Sequence, residues 1–217
     1  TDTFIMPDIE DPNTWHGNKD EYGKWRPFQI AFILMNIKSM MCDGKDTIID
    51  TENERNILDL IWFPTGGGKT EAYLGLSAFV VFLKRLQGIN NLGSSIIMRY
   101  TLRLLTAQQY ERAASLICAC DIIRRDNQEE LGSSRITIGL WVGSTTTPNK
   151  MEAAVKSYRQ LYSSRSHDNP FIVLKCPWCG AKMGQIELKR KHKLVGYKMK
   201  TNPNRIIFVC GNAKCDF

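Results

Sequence analysis

Two groups of residues have the types and spacing for chemistry. One is the run Gly66-Gly67-Gly68-Lys69-Thr70, and the other is the pair of cysteine turns Cys176-x-x-Cys179 and Cys210-x-x-x-x-Cys215. Glycines let the backbone curl until successive N–H groups face one anion, and the start of a helix adds positive potential there. Lys69 would reach the β- and γ-phosphates of ATP, and the Thr70 hydroxyl would take Mg²⁺, with Thr65, Gly66, Gly67 and Gly68 forming the cradle. Phe63 stands where such loops usually carry Gly or Ala, a relaxed form. Four thiolates on two tight turns suit one tetrahedral Zn²⁺, and Gly180 and Gly211 stand beside the ligands where the chain must turn sharply. The 30 residues between the two pairs exceed the usual ribbon spacer, and the second pair is separated by four residues rather than two. A redox-active Cys-x-x-Cys and an iron–sulfur cluster stay open as alternatives.

The elements around these residues follow from periodicity and turn signals. Leu60-Ile61-Trp62-Phe63 reads as a strand running into the glycine turn, and Lys69 to Gln87 as the helix after it, closed by Gly88. Phe28 to Met41, apolar around most of its circumference, reads as a buried helix, and Leu102 to about Arg125 as another long helix. Ser95–Tyr100 and Ile136–Val142 read as further strands, with Gly143 to Pro148 as the loop after the latter. Strands alternating with helices predict a parallel sheet with right-handed crossovers. Tyr110, Leu116 and Ile117 continue an apolar stripe and read as core. Cys118 and Cys120, two apart on a helix, cannot face one site and read as small buried hydrophobes.

Charge is unevenly distributed. The 217 residues carry a net +7, yet Phe171 to Phe217 holds ten basic and two acidic residues, leaving 19 basic against 20 acidic before it. The segment's charge lies mainly on Lys189, Arg190, Lys191, Lys193, Lys198, Lys200 and Arg205, between the cysteine pairs. Such a cluster predicts binding to a phosphate backbone by counterion release, with Lys189, Arg190, Lys191 and Lys193 as contacts; a solvated basic hairpin is the rival reading. His192, inside this run, reads as part of the basic strand rather than a ligand. Seven cysteines without a secretory signal argue against a disulfide framework. The longest apolar runs, Ile30–Met35 and Ala78–Leu83, fall far short of the roughly 20 residues a bilayer-spanning helix needs. A cytoplasmic location is expected.

Arg26-Pro27-Phe28-Gln29 resembles the adenine-reading glutamine motif of superfamily 2 helicases, and Phe63 to Thr70 resembles their motif I. Tyr100 to Gln109 falls where they carry motif Ia. Together with Leu140-Trp141-Val142-Gly143 and Cys176-Pro177-Trp178-Cys179-Gly180, the sequence from about Trp25 onward resembles the helicase subunit of DISARM-type bacterial phage-defence systems. The resemblance implies that Gln29 recognises adenine, that Arg103, Thr106 and Gln109 lie along a nucleic-acid strand, and that Thr145 to Thr147 approach its phosphates. It also implies DNA, or RNA, and other defence-system subunits as partners. Read from the residues alone, Gln29 also suits a helix cap, Arg103 a solvated helix position, and the threonines a turn.

Such ATPases hold Mg²⁺ and polarise water with an Asp-Glu pair after a later strand, and take arginines from a second RecA-like domain. The adjacent acidic pairs here, Glu10-Asp11, Asp20-Glu21 and Glu129-Glu130, stand in polar surroundings instead. The resemblance places the acidic motif beyond a zinc-binding insertion, so the chain is expected to stop just after that insertion and to be one piece of a motor. The expected fold class is α/β, a partial RecA-like P-loop domain with a parallel sheet followed by a zinc-ribbon insertion. Residues 1–24 form a polar lead-in, 25–170 the incomplete P-loop domain and 171–217 the ribbon. The expected function is ATP binding within a DNA helicase or translocase. The alternative is a nucleic-acid-binding module with a P-loop nucleotide switch; a P-loop kinase is weakened by the ribbon and the motif Ia-like run.

Overall fold

In a computed structural model the described residues are 24–41, 62, 68–88, 92–100, 103–143, 147–164, 168–188 and 191–217. They form helices α1 (Pro27–Met41), α2 (Lys69–Gln87), α3 (Arg103–Asp126), α4 (Gln128–Leu131) and α5 (Met151–Ser163), then strands β1 (Gly184–Leu188), β2 (Lys191–Val195), β3 (Tyr197–Lys200) and β4 (Arg205–Phe208). Two compact units result. One contains Arg103–Cys118 and Ile138–Phe217; the other contains Ala119–Thr137 and the described part of Asp20–Leu102. No helix among the described residues is long and apolar enough to cross a membrane.

In the unit that contains α1 and α2, Pro27 opens α1 at the position where its missing N–H costs nothing. Phe32 meets Tyr73 of α2 edge-on, with ring centroids 5.3 Å apart. Gly75 lets the helices close up, since a Cβ there would lie 2.5 Å from Trp25 Cη2. Only one side of α1 is used this way. Ile30, Leu34, Met35, Met40 and Met41 are exposed, so the expected burial of α1 on most sides is not found. Two buried arginines hold the segment after α4. Arg85 donates to the Leu131 and Arg135 carbonyls at 3.3 Å each, and Arg124 to the Gly132 and Ser133 carbonyls at 3.1 Å each.

The predicted strands of a parallel sheet look different here. Among the described residues Ser95–Tyr100 and Ile136–Val142 belong to no sheet, and both sheets are antiparallel hairpins. A strand needs a neighbour for its N–H and C=O groups. The Ile136 N–H goes instead to Asp121 Oδ1, at 2.9 Å, and Ile97 and Trp141 are 89% and 100% exposed. The strand predicted at Leu60–Phe63 lies outside the described residues except for Trp62, which is exposed.

In the other unit α5 carries an apolar stripe at helical spacing, Ala154, Val155, Tyr158 and Leu161, where the sequence signalled no helix. That stripe packs on two hairpins. β1 pairs with β2 from Gly184↔Val195 to Leu188↔Lys191, and β3 with β4 from Tyr197↔Phe208 to Lys200↔Arg205. The core joins Ala154 and Leu161 to Phe171, Met183 and Tyr197, with Tyr158, Val173, Leu194 and Ile206 against it. The expected boundary at residues 170/171 therefore falls inside one packed core, because the hairpins use α5 as their second layer. Gly196 joins the hairpins at φ +85°, and a Cβ there would sit 2.5 Å from Met183 Cγ, so the junction accepts only glycine without displacement. Gln185 Nε2 donates to the Leu161 carbonyl at 2.6 Å and to the Ser164 carbonyl, satisfying the open end of α5.

Candidate functional site

The first cysteine turn is set by backbone hydrogen bonds. The Cys176 N–H donates to the Ala181 carbonyl (2.8 Å) and the Gly180 N–H to the Cys176 carbonyl (2.9 Å), with Gly180 at φ +69°. In the second turn Cys210 Sγ accepts from the Asn212 N–H (3.4 Å), and the Asn212 carbonyl accepts from the Cys215 N–H (3.1 Å). Together the turns bring all four Sγ atoms within 4.8 Å of one another, with Cys176–Cys215 at 3.8 Å and Cys179–Cys210 at 3.4 Å. A tetrahedral ion about 2.3 Å from each sulfur sets neighbouring sulfurs about 3.8 Å apart, so the cluster fits one four-coordinate ion such as zinc. A multi-iron cluster would spread the thiolates wider.

Cys176 and Cys179 are buried, and Cys210 and Cys215 half-buried. Burial opposes ionisation of Cys179, but hydrogen bonds with the Ala181 backbone, Cys210, Cys215 and Asn212 outweigh it and hold the thiol below its ordinary value. Burial pushes Cys210 up to about 11 and raises Cys215 as well. Thiols crowded this closely resist joint deprotonation, and a bound cation removes that opposition because it takes them as thiolates. Cys120 is different: it is buried on α3, and burial pushes it up to about 11, the state of an inert core thiol. Cys118 is half-buried, as are Tyr110, Leu116 and Ile117, while Ala113 and Ala114 supply the buried positions nearby.

The first cysteine turn docks on α3. Ser115 Oγ donates to the Pro177 carbonyl at 2.6 Å, and Lys175 Nζ lies 3.2 Å from Glu111 Oε2. These contacts were not legible beforehand, because Ser115 and Pro177 are 62 residues apart and neither type is distinctive.

At the phosphate loop the described part begins with Gly68, which caps α2 in the left-handed conformation, φ 90° and ψ 30°, that suits glycine. Lys69 and Thr70 form the first turn of α2, half-buried, and Gly68 at its N-cap has no side chain to offer. Gln29 is 4% exposed. Its Oε1 accepts from the Arg26 N–H (2.8 Å), capping α1, and its Nε2 donates to the Gly68 carbonyl (2.8 Å). Gln29 therefore caps α1, the role its residue type also suited, while its other amide end contacts Gly68. Thr65, Gly66 and Gly67 lie outside the described residues.

The residues expected along nucleic acid are not brought to one place by what is described. Arg103 and Thr106 are in the first turns of α3, and Gln109 is half-buried with its Oε1 lacking a partner among the described residues. Thr145, Lys189 and Arg190 lie outside the described residues; Lys191 and Lys193 are on β2, opposite Leu188 and Ile186. His192 Nε2 is 3.0 Å from the Tyr162 carbonyl, so it closes α5 and is not among the metal-facing residues.

No protein-family model matches the chain. It is similar to the DISARM protein DrmA of Bacillus paralicheniformis, with 37% identity over an alignment of 212 residues that takes in 89% of this chain and 17% of that protein. The chain is related to a DISARM protein. It spans about a sixth of the length of that curated relative. The stretch shared with the relative takes in most of the chain.

Proposed function

We propose that this chain supplies the ATP-binding part of a superfamily 2 DNA helicase or translocase, acting in phage defence with other defence-system subunits. In this reading a partial RecA-like P-loop body precedes a structural zinc ribbon whose hairpins share the core of α5. The observation that supports it most is the Gln29–Gly68 hydrogen bond, which joins the glutamine of the adenine motif to the glycine loop across 39 residues of sequence. Gln29 would fix the loop's last glycine, and the N–H groups at the start of α2 would receive the phosphates. Lys69 would neutralise charge at the β- and γ-phosphates, and Thr70 would hold Mg²⁺. The relationship to a DISARM protein supports the defence role.

Glu129 and Glu130 are exposed on the short α4, not at the end of a strand. That favours a chain that binds nucleotide without turning it over, and it keeps the nucleic-acid-binding module with a nucleotide switch as the second reading. The test is binding of a fluorescent ATP analogue with Mg²⁺ to the chain and to Lys69→Ala, together with steady-state phosphate release. Binding that Lys69→Ala abolishes, without turnover, is expected. Equal binding by both proteins would refute the phosphate-loop assignment, and hydrolysis that vanishes in the variant would show that this chain carries a complete catalytic set. Nucleic-acid-stimulated hydrolysis by the full-length protein would separate motor from switch.

A further inference from the structure

We infer that the outward face of the two hairpins is a docking surface for a nucleic-acid phosphate backbone, centred on Lys198, Lys200 and Arg205. The inference rests on the nucleic-acid reading above and names the surface that serves it. Side chains of a strand alternate between its faces, and residues directly opposed across a ladder share a face. Tyr197 points into the core, its ring 4.8 Å from Phe171 and its hydroxyl donating to the Val173 carbonyl at 2.6 Å. Lys198 and Lys200 therefore turn away from the core, and both are exposed. The register sets Lys200 directly opposite Arg205, also exposed, on that same outward face.

The neighbouring hairpin follows the same rule. Leu194 packs on the core and His192 bonds to α5, so Lys193 between them turns outward. The acidic residue of this hairpin, Glu187, is paired with His192, on the inner register. Cations and acid are thus sorted onto opposite faces.

Like charges directly opposed across a ladder weaken it, and among the described residues no acidic side chain bridges to Lys193, Lys198, Lys200 or Arg205. An anion lying over the pair turns that repulsion into joint attraction. Phosphate backbone suits the face better than an acidic protein. Protein interfaces are built around apolar and aromatic residues and are poor in lysine, whereas this face offers three closely spaced cations with Ile207, opposite Lys198, as the apolar member of their ladder.

The test compares the chain with Lys198→Gln/Lys200→Gln/Arg205→Gln and with Arg205→Gln alone. Each is titrated with a duplex DNA, a single-stranded DNA and a poly-glutamate peptide across a salt series. Each phosphate contact contributes a slope of about 0.9 in log affinity against log salt on duplex. The triple variant is expected to flatten the duplex slope by about 2.7, and Arg205→Gln by about 0.9. Arg205→Gln should also melt no lower than the parent, since it relieves the clash with Lys200, so its loss of binding cannot come from unfolding. An unchanged slope in both variants, with the parent still binding DNA, would overturn this surface alone. Equal losses on poly-glutamate would assign the face to an acidic protein, and failure of the parent to bind either DNA would overturn the nucleic-acid reading with it.

Discussion

Asp121→Ala should destabilise the unit around α2 more than any other single change to an acidic residue described there. Asp121 is 2% exposed and accepts three hydrogen bonds: from Arg124 Nε at 2.7 Å, the Ile136 N–H at 2.9 Å and Arg125 Nε at 3.2 Å. Without it Arg124, itself 3% exposed, keeps the Gly132 and Ser133 carbonyls but loses its buried counter-charge. Removing one member of a buried pair costs about 3–5 kcal/mol, and an orphaned buried N–H costs about 1–3 kcal/mol. These overlap, so a loss of about 3–5 kcal/mol at neutral pH is expected. Burial opposes ionisation of Asp121, but the hydrogen bonds from Arg124 and Ile136, the Arg124 charge and the bond from Arg125 outweigh it and hold the carboxyl below its usual range. A carboxyl depressed in the folded state gives its full stabilisation above its unfolded value, about 3.9, and loses it as pH falls through the folded value. The gap between parent and variant should therefore be flat from about pH 5 to 8 and shrink in acid. Urea unfolding, read through hydrogen exchange at the amides of 131–136, measures it. A gap under about 1 kcal/mol at pH 7, or one that widens in acid, would refute the reasoning. Asp121→Leu with Arg124→Leu should cost far less than Asp121→Ala, because no charge is then left buried and unpaired.

Purified chain should contain one zinc per molecule by elemental analysis, and chelation should melt the hairpins and free four thiols while the α1–α2 packing persists; iron in place of zinc, or no metal, would contradict the centre. Gly196→Ala should cost about 1–3 kcal/mol from its φ of +85° and the 2.5 Å approach to Met183 Cγ, whereas Gly139→Ala, with nothing within 4 Å, should cost under about 0.5 kcal/mol; similar losses at both would show the junction is not tight, as measured by thermal unfolding.

Strong local signals carried through to the structure. The helix from Lys69 to Gln87 begins after a glycine cap and ends before Gly88, and both ends are where the sequence puts them. The helix predicted from Leu102 runs from Arg103 to Asp126. The four cysteines converge because tight turns fix each pair locally, leaving only the meeting of the pairs to the fold. The helix α5 went unread because its stripe mixes small Ala154 and polar-tipped Tyr158 with Val155 and Leu161 and follows a Thr- and Pro-containing stretch. Ser95–Tyr100 and Ile136–Val142 have the composition of strands, yet among the described residues neither joins a ladder, and composition alone does not name a strand's neighbour. Asp121 and Arg124, three apart on a helix, look from sequence like an exposed pair. Their burial depends on the segment after α4, which no spacing rule reveals.

The shared core of α5 and the hairpins determines where this polypeptide can be divided. A piece beginning at Phe171 would keep all four cysteines but lose Ala154 and Leu161, leaving one side of Met183 and Tyr197 wet. Gln185 and His192 would also lose the α5 carbonyls that anchor them. A graft of the metal-binding region onto another protein must therefore start before Met151. Even then the first cysteine turn would lack the seat that Ser115 and Glu111 provide, so a transplanted copy inherits the task of rebuilding a helix surface beneath Pro177.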